Sequence, residues 1–216
     1  MLTWLSGWGT PQSGTTRSVT PNPRKASSLS LVDIEWTSQL TDQLNWHWDN
    51  HLRPKLNGLT DEEYFWEPVA GSWNVRPRPA GDTDAPGTGR YTVDFAWPEP
   101  LPPPVTTIAW RLAHLIVGVF GMRAANHFDA PVVSYQDFPY AGIATQALAQ
   151  LDHTYASWRQ GVGGLSATAL ARPCGPAEGP FAEYPMAALV LHINREAIHH
   201  GAEILLLRDL YRATIS

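Results

Sequence analysis

The stretch Leu189-Val190-Leu191-His192-Ile193-Asn194-Arg195-Glu196-Ala197-Ile198-His199-His200-Gly201-Ala202-Glu203-Ile204 constrains this 216-residue chain more than any other. It reads as the middle of a long helix predicted from just after Pro185 to about Arg212, a span that no proline interrupts and that Leu, Ala, Glu and Arg dominate. Leu189, Ile193, Ile204 and Leu207 share one stripe, which is expected to face a core. Glu196 and His200 lie on the same stripe, one turn apart, while His192 and His199 point to its flank. A carboxylate and an imidazole on a buried face need compensation. A bound cation reached by both side chains supplies it, and so does a plain Glu–His hydrogen bond; the stripe alone leaves both open.

The rest of the chain supplies helices for that stripe to pack against. Apolar residues recur at helical intervals from about Leu31 to Leu56, with Pro54 near the end, where a helix bends or stops. His47 and His51 in this segment are four apart, a spacing that suits amphipathic packing better than a second metal pair. Thr60 and Glu63 form a capping-box pattern over a short helix. Val105 to about Asn126 reads as a second long helix, apolar nearly all round, with His114 as its central histidine. Gly118 and Gly121 leave either open room beside His114 or a close helix–helix contact. Ile143 to Gly161 is the third long helix. The expected fold is therefore an all-α four-helix bundle with long crossover connections. The longest connection, residues 70–104, has one strand-like piece at Tyr91–Phe95 and carries Trp73, Tyr91, Phe95 and Trp97 as candidate pocket-wall aromatics.

Composition limits the function classes. Hydrophobic residues make up 44% of the chain and charged ones 16%, enough for a full core. The formal net charge of −5 speaks against a nucleic-acid backbone as partner. The single cysteine, Cys174, lies in a Pro/Gly-rich loop, so no internal disulfide framework exists, as suits a reducing compartment. No apolar run in the sequence approaches the ~20 residues of a bilayer span. Residues 1–30, rich in Ser, Thr, Gly and Pro, read as a poorly ordered tail without a signal peptide's pattern. The bundle domain is expected over residues 31–213, and the protein in the cytoplasm.

Metal sites in helical bundles are built from inward side chains on facing helices. His114 on the second helix, with Glu196 and His200 on the fourth, makes a His2Glu set. Three protein ligands leave a fourth position for water or substrate, the pattern of catalytic zinc sites. A metalloprotease is a poor alternative, because Arg195 stands where a His-Glu-x-x-His motif over residues 195–199 needs its first ligand.

The helix-two histidine, the long crossover and the terminal His-x-x-x-x-x-x-His-His-Gly run resemble the DinB-like superfamily of four-helix metal-binding proteins, over about Leu31 to Arg212. Glu196 stands where the usual motif has its first histidine, and Gly201-Ala202-Glu203 replaces the usual Arg-Gly-Gln. The Glu-x-x-x-His form is similar to the mycothiol-dependent maleylpyruvate isomerase branch. The resemblance implies a divalent metal, zinc first with nickel and iron as alternates. It also implies mycothiol or a similar low-molecular-weight thiol as cosubstrate, in a thiol transferase or isomerase acting on an electrophile. The competing expectation is a metal-binding bundle without turnover. His47, His51 and His199 are candidates for supporting or acid–base roles. Expected partners are the thiol and the electrophile, neither nucleic acid nor membrane, with a homodimer as the candidate assembly.

Overall fold

In the computed structural model, which describes residues 34–215, helix α1 (Trp36–His47) continues through a wider π-helical turn (Trp48–Leu52) into Arg53–Lys55. Pro54 accounts for the widening. It has no N–H to donate four residues back, and its ring crowds that carbonyl. The N–H of Arg53 accordingly reaches the carbonyl of Trp48, five residues back. Leu31 and the tail expected over residues 1–30 lie outside the described residues.

The short helix α2 (Asp61–Phe65) carries the expected capping box. Thr60 Oγ accepts from the Glu63 N–H at 3.2 Å, and the Glu63 carboxylate accepts from the Thr60 N–H at 3.1 Å. Glu63 is buried and also accepts from Arg208 Nε at 3.0 Å and Arg212 Nε at 2.9 Å. Arg208 donates onward to the Lys55 carbonyl. One carboxylate thus caps α2 and ties it to the C-terminal helix.

The long connection is more ordered than its composition suggests. Strand β1 (Val75–Pro77) pairs antiparallel with β2 (Tyr91–Val93), with Val75 opposite Val93 and Pro77 opposite Tyr91. Only β2 was expected, because three residues ending in proline leave no readable alternation. Between the strands the chain winds around Arg78, whose guanidinium donates to the carbonyls of Asp82, Ala85, Pro86, Gly87 and Gly89. Backbone groups that a Pro/Gly-rich segment cannot pair in regular structure find their partner in this one side chain.

The second long helix, α3, comprises Ile108–His114, a π-helical segment Leu115–Gly121 and Met122–His127. It begins three residues after the expected Val105. Thr107 caps it, its Oγ accepting from the Trp110 N–H at 3.2 Å, and residues 105–107 instead bond to Trp73 in extended form. Asn74 closes the knot, accepting from Thr107 Oγ at 2.9 Å and donating to the Phe65 carbonyl at 2.9 Å. Contrary to the expectation that no apolar stretch is long enough, α3 meets the length and composition of a membrane span, as one such helix among the described residues. Most of it is buried inside the protein, so the bundle's own core covers its apolar surface.

Helix α4 (Ala144–Gly163), the short α5 (Ala167–Ala171), a 3-10 turn (Pro176–Phe181) and α6 (Met186–Ile215) complete the chain. Helix α3 packs on α4 and α6, and α1 packs on the same two. The architecture is all-α, with four long helices around Leu112, Leu115, Phe120, Leu151, Trp158, Ile193 and Ile204, each buried. Burial of each such side chain stabilises the fold by ~1.5–3 kcal/mol.

Candidate metal centre

Helix α3 brings His114 and helix α6 brings Glu196 and His200 to one place, with one ligand atom from each within 4.8 Å of the others. The imidazole rings of His114 and His200 meet edge to face, centroids 4.8 Å apart. His200 Nε2 lies 3.4 Å from Glu196 Oε2, as the i, i+4 spacing on α6 dictates. Trp110 stacks on His114 at 5.7 Å and walls that side.

Each imidazole is also held from behind. His114 Nδ1 is 2.8 Å from the Tyr135 hydroxyl, in the connection between α3 and α4. His200 Nδ1 is 2.7 Å from Glu203 Oε2, and Arg111 pairs with that carboxylate at 3.1 Å. Tyr135, Glu203 and Arg111 were not singled out from the sequence. Spacing alone could have flagged Glu203, three residues after His200, and Arg111, three before His114; no local signal marks Tyr135. The space that Gly118 leaves beside His114 is neither open nor a helix–helix contact: the Tyr135 hydroxyl fills it. A Cβ there would collide with the Tyr135 hydroxyl. Gly121 serves the helix instead, since a Cβ would crowd the Ile116 carbonyl and Val133.

The electrostatics separate the two histidines. Burial holds the His114 pKa down to about 3, and the neighbouring charges of His200 and Arg111 push the same way, so the ring stays neutral and one nitrogen keeps its lone pair. Burial also works against a proton on His200, but hydrogen bonds to Glu196 and Glu203 outweigh it and raise its pKa. The hydrogen bond from His200 holds Glu196 down to about 2, against the opposing effect of burial. Burial pushes the Tyr135 phenol up, so it stays neutral.

The other candidates fall elsewhere. His192 is buried rather than flanking, its Nδ1 2.7 Å from Arg195 Nη2 and 3.6 Å from Glu196 Oε1. His199 is exposed and lies 3.4 Å from Glu203 Oε1. His47 and His51 stack on each other at 5.9 Å; a Cβ on Gly201 would stand 3.3 Å from His47 Nε2, against α6 but outside the three-residue cluster. His127 is taken by a buried hydrogen bond with Glu178, Nε2 to Oε1 at 2.8 Å. Trp73 is half-buried against Trp110, whereas Trp97 is 72% exposed.

The donor set fits a divalent ion. Bonds of ~2.1 Å in a tetrahedral site put neighbouring ligand atoms about 3.4 Å apart, the separation already held by His200 Nε2 and Glu196 Oε2. Two imidazoles and one carboxylate suit zinc, and the same triad serves non-haem iron. Fold and site together define a helical bundle whose inward faces offer three ligand groups to one ion. The chain matches the model of the DinB superfamily over residues 43–204, and it belongs to that superfamily. No curated protein and no solved structure matches it.

Proposed function

We propose that His114, Glu196 and His200 hold one divalent ion, and that the protein is a metal-dependent thiol transferase or isomerase using a low-molecular-weight, mycothiol-like thiol. The observation that carries this reading is the count of ligands: three converge on one point, and a tetrahedral ion has a fourth position to offer. A divalent ion in such a site lowers the pKa of a coordinated thiol, making the nucleophilic thiolate available at neutral pH. The residues of the chain do the rest. His114 stays neutral because it is buried, Glu196 supplies the ligand charge, and Trp110 shields the His114 side from water. The electrophile would enter between the bundle and the connection 70–104.

The test is calorimetric titration of the zinc-loaded protein with mycothiol, followed by turnover assays with an electrophilic haloarene. Thiol binding and metal-dependent consumption of the haloarene are expected. Metal bound stoichiometrically, with no thiol binding and no turnover across several thiols, would make the protein a metal-binding module without catalysis.

A further inference from the structure

Glu203 is not a ligand in the proposed chemistry, yet its carboxylate makes the shortest polar contact of His200. Oε2 lies 2.7 Å from His200 Nδ1, while Arg111 approaches from α3 with Nε 3.1 Å from Oε2 and Nη2 3.2 Å from Oε1. Arg111 Nη1 is also 3.4 Å from His200 Nδ1. These distances decide the tautomer. A carboxylate oxygen and a ring nitrogen at 2.7 Å need a proton between them, and the longer Arg111 approach does not compete for it. Nδ1 therefore carries the proton of the neutral ring, and Nε2, the nitrogen facing Glu196, is left with its lone pair.

The same contacts fix the helices. Arg111 and His114 are three apart on α3, and His200 and Glu203 are three apart on α6, so each pair occupies one face of its helix. The Arg111–Glu203 ion pair thus forms a rung beside the His114–His200 contact on antiparallel helices. His114 is backed by a neutral phenol and His200 by an anion, which makes His200 the more basic of the two donors.

We infer that Glu203 and Arg111 are positioning residues of this centre: Glu203 turns Nε2 of His200 toward His114 and Glu196, and Arg111 holds Glu203 so that the two ligand-bearing helices stay in register. The functional consequence rests on the metal reading above; the ring orientation does not.

The experiment therefore has two arms. In the first, long-range proton–nitrogen NMR on metal-stripped protein, at a pH where the ring is neutral, reports the His200 tautomer. The Nδ1–H form is expected in the wild type and in Glu203→Gln, whose amide oxygen still accepts. Glu203→Ala is expected to shift His200 toward the Nε2–H form, donating to Glu196. In the second arm, chelator competition with Co2+ is expected to show a loss of about 10–100-fold in affinity for Glu203→Ala, with an altered visible spectrum and substantial recovery in Glu203→Gln. Arg111→Met, which leaves the carboxylate in place, is expected to move both readouts the same way, so the test survives if Glu203→Ala misfolds. An unchanged tautomer, with Co2+ affinity and spectrum unchanged in Glu203→Ala and Arg111→Met, would overturn the inference while leaving the metal reading intact. A wild-type protein that takes up no Co2+ but shows the Glu203-dependent tautomer would overturn the metal reading and leave the ring positioning standing.

Discussion

Glu196 Oε2 and His200 Nε2 are held 3.4 Å apart by one turn of α6, and His114 reaches the same point from a helix that is remote in sequence. A half-buried glutamate and two imidazoles so arranged make a three-point cluster that could hold a metal ion; His199, His200 and Glu203 make a second such group that shares His200.

Metal stoichiometry tests it most directly. About one divalent ion per chain is expected in the wild type, lost in His114→Ala, Glu196→Ala and His200→Ala. His127→Ala and His153→Ala should retain it, since His127 is hydrogen-bonded to Glu178 and His153 is exposed. Stoichiometric metal in the double variant His114→Ala/His200→Ala, measured by elemental analysis, would place the site elsewhere.

The metal-stripped protein should lose stability on the acid side in a defined window. His114 titrates near 6.5 when unfolded and about 3 when folded, so the unfolded state takes up the extra proton as pH falls between those values. That lowers stability by about 1.4 kcal/mol per pH unit at full slope. Glu196, depressed from 4.5 to about 2, adds a second loss below pH 4.5. The raised pKa of His200 acts oppositely, its contribution being present below 6.5 and lost as pH rises through the folded value. Denaturation midpoints for His114→Gln between pH 6.5 and 4.5 should show a slope shallower by about one proton; an unaltered slope would contradict the burial argument.

Metal uptake should strengthen with rising pH. The proton on His200 must leave before both Glu196 and the ring can serve one ion, so apparent affinity climbs through the raised pKa of His200. Competition titrations from about pH 6 upward, the range of a perturbed imidazole, would show a flat profile if His200 were no ligand.

Gly118→Ala probes the contact behind His114. Alanine gains roughly 1 kcal/mol in helix propensity, but its Cβ collides with the Tyr135 hydroxyl, and overpacking costs about 1–3 kcal/mol. Tyr135 should swing away and release His114, so metal affinity falls more than thermal stability. Equal losses in both would mean that Tyr135 is only a packing residue.

Glu63→Ala should be among the most destabilising single changes outside the centre. It strips a cap and leaves Arg208 buried without its carboxylate, a loss on the order of 3–5 kcal/mol. Urea denaturation measures it, and a loss under about 1 kcal/mol would put the Arg208 pair in the class of exposed ion pairs.

Much of this arrangement could be read locally. Helical spacing put Glu196 and His200 on one core-facing stripe of α6 and identified the Thr60–Glu63 cap, and His114 stood out as the central histidine of a nearly all-apolar α3. Each depends on residues three or four apart, where helix geometry sets the neighbour. The π-helical segment of α3, the start of that helix at Ile108 and the strand Val75–Pro77 escaped that reading, because each answers to a partner distant in the chain or to a backbone group without a side-chain signal.

By itself, then, the sequence determined which faces are apolar, which side chains with metal-ligating chemistry lie on them, and that helices would carry them. Only the tertiary structure decided what stands opposite. Tyr135 reaches His114 across 21 residues, and Arg111 reaches Glu203 across 92. The physical reason is that periodicity specifies the direction in which a side chain leaves its helix, whereas the partner it meets depends on the register in which two helices pack, and that is set by the whole core at once.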